Sequence, residues 1–339
     1  MVKADGYGHG AVTAARAALD AGAGWLAVAL VEEGVTLRRA GIDAPVLVLS
    51  EAPGAAMGAV VAAGLTPTVY TPAGVAAASD AAGAPGASLA VHLKVDTGMH
   101  RLGADPADAL ALARAVDRAP GLRLGGVWTH LAVADDDTQD AYTAAQLERF
   151  DAVRAALAAD GIDAGLVHAA NSAAAVRHPA SRYDLVRCGL AVYGYSPAPG
   201  LAATAGLRPA LSLKSKVSFS KVLGAGERVS YGRRYALGGD ATVATIPLGY
   251  ADGVPRRLSA LGGEVLIGGC RRPIAGTITM DQLLVDCGPG QATAGDEVVL
   301  LGRQGDEVIT ADDWARSLDT IPYEILCGIG PRVPRVVTG

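Results

Sequence analysis

Residues 89–95 read Leu-Ala-Val-His-Leu-Lys-Val, a short apolar run of the kind that forms a buried β-strand. Six further runs of this kind occur in the first two-thirds of the chain, at 26–30, 46–49, 66–70, 122–130, 166–170 and 185–193. Alanine-rich segments with helical spacing separate them; one carries Val12, Ala15 and Leu19. Strands that alternate with helices in this way predict a parallel sheet with crossover helices.

Seven strands are one fewer than the eight that close a (β/α)8 barrel. The missing strand is expected at the front of the chain, where Met1 and Val2 would be the last residues of a strand whose body is absent. The sequence therefore predicts a TIM-like (β/α)8 barrel with a truncated first strand. Lys3 would then lie at the mouth of the barrel, where the active sites of such folds are built.

The sequence pattern changes after about residue 205. Short alternating segments follow at 212–222, 241–247, 264–267, 272–276, 283–287 and 297–301, separated by glycine-rich turns. This pattern predicts a mostly antiparallel β domain with one helix at 311–318. Residues 196–208, rich in alanine, glycine and proline, are the expected linker, so the predicted domains are 1–205 and 206–339.

The composition excludes several classes of function. Lysine plus arginine total 29 and aspartate plus glutamate total 34, a net charge of −5, which is not the basic balance of a nucleic-acid or anionic-membrane binder. No run of about 18 apolar residues suggests a membrane span, and the opening residues have no apolar signal core. The four cysteines (Cys188, Cys270, Cys287 and Cys327) are widely spaced, which argues against a metal site or a disulfide framework. We therefore expect a cytoplasmic protein without a metal.

Lys3 is the first candidate for chemistry. A lysine at a barrel mouth can form a Schiff base with an aldehyde cofactor, although an exposed terminal lysine is the simpler interpretation. The following residues favour a ligand site, because Gly6, Gly8 and Gly10 surround Tyr7 and His9 and allow the backbone to approach a ligand closely.

A second group of candidates follows the strand at 89–95. Strand alternation places His92, Lys94 and Asp96 on one face, and Arg101 lies beyond the strand end, where its planar guanidinium could bind a substrate carboxylate. An ion pair between Lys94 and Asp96 inside the barrel is an equally good interpretation of the spacing.

A third group lies between residues 171 and 190. Ser172 follows a strand and precedes a helix, where it would either cap the helix or bind a phosphate. Arg187 lies in an apolar run and needs a partner, which is either a cofactor or an acid such as Asp184. Gly189 and Leu190 then present backbone N–H groups near a strand end.

Three polar clusters lie at strand ends in the β domain, at 229–232, 249–253 and 279–282. Ordinary turn chemistry would explain each of them singly. His130, His168 and His178 do not form a metal set with the cysteines, and His168 has the sequence context of a core residue.

Taken together, these stretches resemble the bacterial alanine racemases, fold type III enzymes that use pyridoxal 5′-phosphate (PLP). The resemblance begins with Val-Lys-Ala-Asp-Gly-Tyr-Gly-His-Gly at 2–10 and includes Thr-Met-Asp-Gln at 279–282. The other matching segments are 94–103, 129–130, 168–172, 186–190, 229–232, 246–253 and 332–335. The nine segments occur in family order and cover nearly the whole chain.

The resemblance implies a barrel, a β domain and a head-to-tail homodimer whose active sites are shared between subunits. It implies an L-alanine/D-alanine racemase that acts by a two-base mechanism and supplies D-alanine for peptidoglycan. Lys3 matches the PLP-binding lysine and first base. Tyr231 matches the second base, contributed by the other subunit, and His130 matches the histidine that links that tyrosine to the arginine here at 187. Arg187 itself matches the residue that binds the pyridine nitrogen.

The resemblance also assigns the remaining site residues. The phosphate site matches Tyr7, Ser172 and the backbone of Gly189 and Leu190. The substrate site matches Arg101, Tyr250, Met280 and Asp281. Lys94 matches a lysine that is often carbamylated and braces the arginine at 101. Pro331 stands where many members have a tyrosine that reaches the phosphate, so one phosphate donor is expected to be lost.

Two other functions stay open on the sequence alone. One is an amino-acid racemase of broader specificity, for example toward serine. The other is a non-catalytic PLP-binding protein, which the short first strand would explain.

Overall fold

The computed structural model describes residues 1–83, 88–198 and 206–338. The chain divides into two compact units, one formed by Met1–Gly6 and Gly10–Leu207 and the other by Tyr7–His9 and Arg208–Gly339. Most of the linker expected at 196–208, and the domain boundary predicted at 205, lie outside the described residues.

The first unit is built on a six-stranded parallel sheet. Its strands follow one another in chain order: β1 (Leu26–Val28), β2 (Val46–Glu51), β3 (Thr66–Val69), β4 (Leu89–Lys94), β5 (Leu122–Trp128) and β6 (Leu166–His168). Every pairing between neighbours is parallel. The parallel sheet predicted from the alternating pattern is therefore confirmed.

Helices connect the strands of this sheet. They are α1 (Ala11–Asp20), α2 (Val31–Arg39), α3 (Gly54–Ala62), α4 (Pro72–Ala82), α5 (Pro106–Arg118), α6 (Asp140–Ala159) and α7 (Ser172–Arg177). Short 3-10 helices occur at Asp137–Gln139, Pro179–Ser181 and Leu190–Tyr193. Local sequence fixes several helix starts: the Thr71 side chain caps α4 and that of Asp105 caps α5, each followed by proline. The apolar faces of the helices bury Leu37, Met57 and Phe150 against the sheet.

The strand predicted at 185–193 is wrong. The amide N–H groups of Asp184 and Arg187 donate single hydrogen bonds to Val167 and Ala170, so the chain follows β6 only briefly. Gly189 (φ −107°, ψ −99°) then leaves the extended conformation, and the 3-10 helix Leu190–Tyr193 begins. The apolar run indicated burial correctly, but burial alone does not distinguish a strand from a short helix.

Backbone hydrogen bonds outside the sheet complete a ring in the first unit. The amide of Val2 donates to the carbonyl of Ala27 in β1 (2.9 Å), and the amino group of Met1 donates to the carbonyl of Cys188 (3.1 Å). Met1 and Val2 therefore lie between β1 and the segment 184–188, which itself lies beside β6. These two stretches and the six strands surround the barrel interior, in agreement with the predicted TIM-like fold.

The second unit contains ten strands, all in antiparallel pairs. They are β7 (Leu213–Lys216), β8 (Phe219–Leu223), β9 (Arg228–Val229), β10 (Tyr235–Ala236), β11 (Ala241–Ile246), β12 (Glu264–Ile267), β13 (Cys270–Pro273), β14 (Leu283–Asp286), β15 (Glu297–Gln304) and β16 (Glu307–Ile309). The predicted antiparallel domain is thus confirmed. The segment predicted as one strand at 212–222 is two, because β7 pairs with β15 while β8 pairs with β11.

Two helices and three 3-10 helices complete the second unit. The predicted helix at 311–318 is confirmed as α8 (Ala311–Leu318), whose start is fixed by a capping box between Thr310 and Asp313. Helix α9 (Pro322–Cys327) was not predicted, because six residues carry too little periodicity. The 3-10 helices are Tyr231–Arg233, Tyr250–Asp252 and Arg256–Leu261. In the described parts of the chain, no helix combines the length and apolar character that a membrane span requires.

Gly126 in β5 tests the packing of the barrel interior. A Cβ atom at this position would lie 2.6 Å from Cε1 of His92 and 2.6 Å from the carbonyl oxygen of Leu166. Gly126→Ala should therefore lower the free energy of unfolding, measured by urea denaturation, by about 1–3 kcal/mol. Gly58→Ala in α3 is the matched control: its Cβ meets nothing within 4 Å, so it should stabilise the chain by about 0.5–1 kcal/mol. Equal unfolding midpoints for the two variants would contradict this packing.

Candidate active site

An unusual backbone turn follows Lys3. Ala4, Asp5 and Tyr7 have φ values of 51°, 52° and 54°, a left-handed conformation that residues with a Cβ rarely adopt, and Gly6 between them has φ 62°. The amide of Gly6 donates to the carbonyl of Val2, and the Asp5 carboxylate accepts from the amide of Ala11 (2.7 Å). Consecutive strained residues persist only where surrounding contacts impose them, and they are concentrated at functional sites.

Arg187 is a buried cation in the first unit. Its Nη1 lies 2.9 Å from Nδ1 of His168, and its Nη2 donates to the carbonyl oxygens of Thr129 (2.6 Å) and Ala169 (2.9 Å). Nη2 also lies 3.3 Å from Nδ1 of His130. Burial lowers the pKa of Arg187 to about 9.

The described residues provide no carboxylate partner for this guanidinium. The alternative of a salt bridge to Asp184 is wrong, because the Asp184 carboxylate accepts the amide of Val167 (2.8 Å) instead. A buried charge of this kind is costly without an acidic partner. Among the described residues, Arg187 therefore belongs to no internal ion pair.

The two histidines that contact Arg187 are neutral. Burial, followed by the charge of Arg187, lowers the pKa of His130 to about 3 and that of His168 well below its usual range. A guanidinium only donates hydrogen bonds, so Nδ1 of each imidazole accepts and the proton lies on Nε2. His168 is buried, as its sequence context suggested, but its contact with Arg187 also makes it part of the site, which the sequence did not reveal.

Lys94 lies at the end of β4 beside the same cation. Its Nζ is 4.5 Å from the centre of the Trp128 ring, and the Arg187 guanidinium is 4.6 Å from that ring. Burial, followed by the charges of Arg101 and Arg187, lowers the pKa of Lys94 to about 8. The charges of Lys3 and Arg101 also lower the pKa of His130, which indicates that both residues lie near this cluster.

The alternative of an ion pair between Lys94 and Asp96 is wrong. Oδ1 of Asp96 instead accepts the amides of Gly98, Met99 and His100 at 2.9–3.0 Å, and these bonds fix the loop that leads to Arg101.

Ser172 is joined to the segment after Arg187. Its hydroxyl oxygen accepts the amides of Gly189 (2.8 Å) and Ala191 (3.4 Å). The cap of helix α7 is Asn171, whose side chain accepts the amide of Ala174 (3.0 Å), so the interpretation of Ser172 as the cap is wrong. The structure thereby brings three predicted site residues together: Ser172, Gly189 and the fully buried Leu190.

Tyr7 is held within the second unit. Its ring centre lies 5.8 Å from that of Tyr323 in α9, and the guanidinium of Arg335 donates to the carbonyl of Gly8 at 2.9 and 3.0 Å. Burial, together with Tyr323, raises the pKa of Tyr7. Tyr323 was not predicted as a site residue; the sequence indicated only that a tyrosine is replaced at Pro331. Its pairing with Tyr7 could be identified only from the fold.

Tyr231, Tyr250, Met280 and Asp281 form a second cluster, which we call the Tyr231 rim. The hydroxyl of Thr277 donates to the carbonyl of Tyr231, and the amides of Tyr250 and Ala251 donate to the carbonyls of Thr279 and Met280. The side chains of Tyr231, Tyr250 and Met280 are 74%, 43% and 52% exposed. The rim thus joins four residues that sequence reasoning found in three separate stretches.

Two features hold the Tyr231 rim in place. Ser230 has φ 64° and ψ −178°, a strained conformation, and its hydroxyl donates to the carbonyl of Thr277 (2.7 Å). Arg332 pairs with the buried Asp252 (3.0 Å) and with Asp281 (2.9 Å).

Comparison with known proteins assigns both units to one family. Residues 1–197 match the model of the alanine racemase N-terminal domain, and residues 210–337 match that of the alanine racemase C-terminal domain. The chain is 49% identical over 340 residues to the alanine racemase of Symbiobacterium thermophilum, covering all of this chain and 90% of that protein. It is 46% identical over 342 residues to that of Thermobifida fusca, covering all of this chain and 91% of the relative.

Solved structures give the same result. The alanine racemase of the D-cycloserine producer Streptomyces lavendulae has a TM-score of 0.91 at 41% identity, with 100% of this chain and 89% of that chain covered. The alanine racemase of Streptomyces coelicolor A3(2) has a TM-score of 0.91 at 40% identity, with 99% and 90% covered. On both sequence and fold, this chain belongs to the alanine racemase family.

Proposed function

We propose that this chain is an alanine racemase, a PLP-dependent isomerase that interconverts L-alanine and D-alanine. The observation that carries the proposal is the buried guanidinium of Arg187, which is held by neutral imidazoles and carbonyls instead of a carboxylate. The family relationship and the two relatives named as alanine racemases support the same activity.

The residues of the first unit suit a phosphorylated aldehyde. Lys3 would hold the aldehyde carbon, Arg187 the pyridine nitrogen, and Ser172 with the amides near Gly189 and Leu190 the phosphate. The hydroxyl oxygen of Ser172 already accepts the Gly189 amide, so its proton is available to a phosphate oxygen. Tyr7, which belongs to the second unit, would add a phenol donor, as the family resemblance implies.

The bound cofactor would supply an electron sink that stabilises the carbanion formed when the α-proton leaves. Arg187 suits this reaction because a guanidinium does not readily give its proton to the pyridine nitrogen. Arg187 would thereby leave the pyridine nitrogen unprotonated and limit electron withdrawal, which would favour return of the proton over side reactions.

Inversion requires bases on opposite faces of the α-carbon. We assign one to Nζ of Lys3 and the other to the hydroxyl of Tyr231 of the partner subunit in a homodimer. The exposed rings of the Tyr231 rim support a surface that a second copy covers. His130 carries its proton on Nε2 and would donate it as a hydrogen bond to the phenolate, which lowers the pKa of the tyrosine.

Arg101, Met280, Asp281 and Tyr250 would bind the substrate. Arg101 would hold the carboxylate, and Lys94 would brace Arg101 once it carries a carbamate. The pKa of Lys94, lowered to about 8, leaves part of the amine neutral near physiological pH, and only the neutral amine reacts with carbon dioxide. The product D-alanine would serve peptidoglycan synthesis, and the cytoplasmic location expected from the sequence also stays a prediction.

The activity is tested with the PLP-loaded chain and L-alanine in deuterated water. We expect D-alanine with deuterium at the α-carbon. Tyr231→Phe should keep the cofactor but lower turnover by at least about 100-fold, the usual effect of losing a general acid or base. Tyr183→Phe, which removes a hydroxyl bound to Asp151 outside both clusters, is the matched control and should leave turnover unchanged. Cofactor binding with no exchange for alanine or serine would support a non-catalytic binding protein instead.

Carbamylation of Lys94 is tested by NMR with ¹³C-bicarbonate. The amine bonds to the carbon of CO₂ and releases a proton, so the carbamate signal should grow as the pH rises through about 8, where the neutral amine becomes dominant. Lys94→Met should remove the signal and weaken alanine binding. Lys214→Met is the control, since Lys214 forms an exposed pair with Glu297 and should not affect the signal. A signal that survives in Lys94→Met would show that the carbamate is elsewhere.

A further inference from the structure

His92 is a buried histidine that the proposed mechanism does not use. It lies in β4 and is 1% exposed. Two glycines of β5 make room for its ring, since a Cβ on Gly126 would meet Cε1 of His92 at 2.6 Å and one on Gly125 would meet Cδ2 at 3.5 Å. Its Nδ1 lies 3.0 Å from Nε2 of His168. His92 is therefore built into the interior next to the histidine that contacts Arg187.

The direction of each hydrogen bond in this group is fixed by Arg187. The guanidinium can only donate, so Nδ1 of His168 accepts and His168 carries its proton on Nε2. That proton points to Nδ1 of His92, which must accept it, so the proton of His92 lies on its own Nε2. Both imidazoles are neutral, since burial lowers the pKa of His92 to about 4 and that of His168 well below its usual range.

Ring packing holds His168 between the two hydrogen bonds. Its ring stacks on Trp128 with centres 5.6 Å apart and an angle of 8°, while His92 meets it at 57°. In the described part of the chain, His92 is the acceptor for Nε2 of His168. Without that acceptor, the buried N–H would lose its partner, and the ring would turn to find another.

We infer that His92 is a positioning residue: it accepts the proton of His168 and so fixes the ring that aims the Arg187 guanidinium. His92 contacts neither substrate nor cofactor in this account, and it acts only through His168. The kinetic consequence rests on the proposed racemase function, because Arg187 matters to turnover only if it binds the cofactor. The hydrogen-bond order itself does not depend on that function.

The first test reads the proton positions directly. The chain has only six histidines, so ¹⁵N-histidine labelling of the cofactor-free full chain gives a spectrum that single substitutions can assign. We expect His92, His130 and His168 to be neutral, each with its proton on Nε2. A proton on Nδ1 of His92, or a charged His168, would overturn the inference. This measurement is made on the wild-type chain and needs no enzyme activity; folded single variants serve only to assign the signals.

The second test compares two substitutions whose side chains have the same branched skeleton. His92→Asn places an amide oxygen near the position of Nδ1, whereas His92→Leu has the same shape and no acceptor. Leu is larger than Asn and fills more of the space left by the ring, so a purely structural role would not make His92→Asn the better variant.

We expect His92→Leu to lower kcat about tenfold, as the loss of outer hydrogen-bond partners does at other sites, and His92→Asn to stay within about threefold of the wild type. The His168 signals should change in His92→Leu and be preserved in His92→Asn. Equal kcat values and equal spectra for the two variants would overturn the inference. A wild-type chain that does not racemise alanine yet shows the expected proton positions would refute the proposed function but not the hydrogen-bond order.

Discussion

The arrangement of the candidate site depends on the burial of a positive charge for which the described residues provide no acidic partner. Arg187 is buried, and its guanidinium is satisfied by two carbonyl oxygens and two imidazole nitrogens. Such a group is costly to desolvate, and neutral acceptors compensate only part of that cost. A carboxylate would have stabilised the arginine more strongly. It would also have neutralised the positive charge of the guanidinium, to which a ligand can bind.

Burial and this charge together lower the pKa values of the neighbouring residues. Burial is the larger cause of each lowered pKa, and the charge of Arg187 adds to it at His130, His168, His92 and Lys94. The histidines therefore stay neutral and can act as acceptors with a defined proton position. The pKa of Lys94 is lowered to about 8, so its amine is partly neutral near that pH and chemically reactive. Burial beside a cation thus accounts for both the neutral histidines and the reactive lysine.

Much of the fold could be predicted because strands and helices have different periods. The strands β1 to β6 and the helix Ala311–Leu318 follow from local patterns that agree with the final structure. The conformation of residues 185–193 could not be predicted, because an apolar run indicates that a segment is buried but not how its backbone pairs. The break between β7 and β8 was also hidden, since a change of partner strand leaves no mark in a hydrophobic pattern.

The candidate site, like the fold, could be predicted only in part. Arg187 and Lys94 could be found because a charged residue in an apolar run needs an explanation, and the resemblance to a family supplied one. The contacts within the site could not be predicted, because they depend on tertiary neighbours. Examples are the lack of an acid beside Arg187 among the described residues, the pairing of Tyr7 with Tyr323, and the capping of helix α7 by Asn171 instead of Ser172. A histidine in a buried strand is the hardest case, because His92 and His168 look like core residues and are indeed in the core.

The barrel interior connects these observations. A parallel strand that is buried on both faces ordinarily carries aliphatic residues, yet β4 and β5 place His92, Lys94, Gly125 and Gly126 there. The glycines pack less well than larger residues would, but they leave room for an imidazole. The imidazole loses its hydration on burial and accepts a single hydrogen bond. Neither the two glycines nor the buried imidazole would favour folding by itself. Together they connect Arg187, through His168, to the sheet. A side chain that is supported by a sheet is held more firmly than one that is supported by a loop.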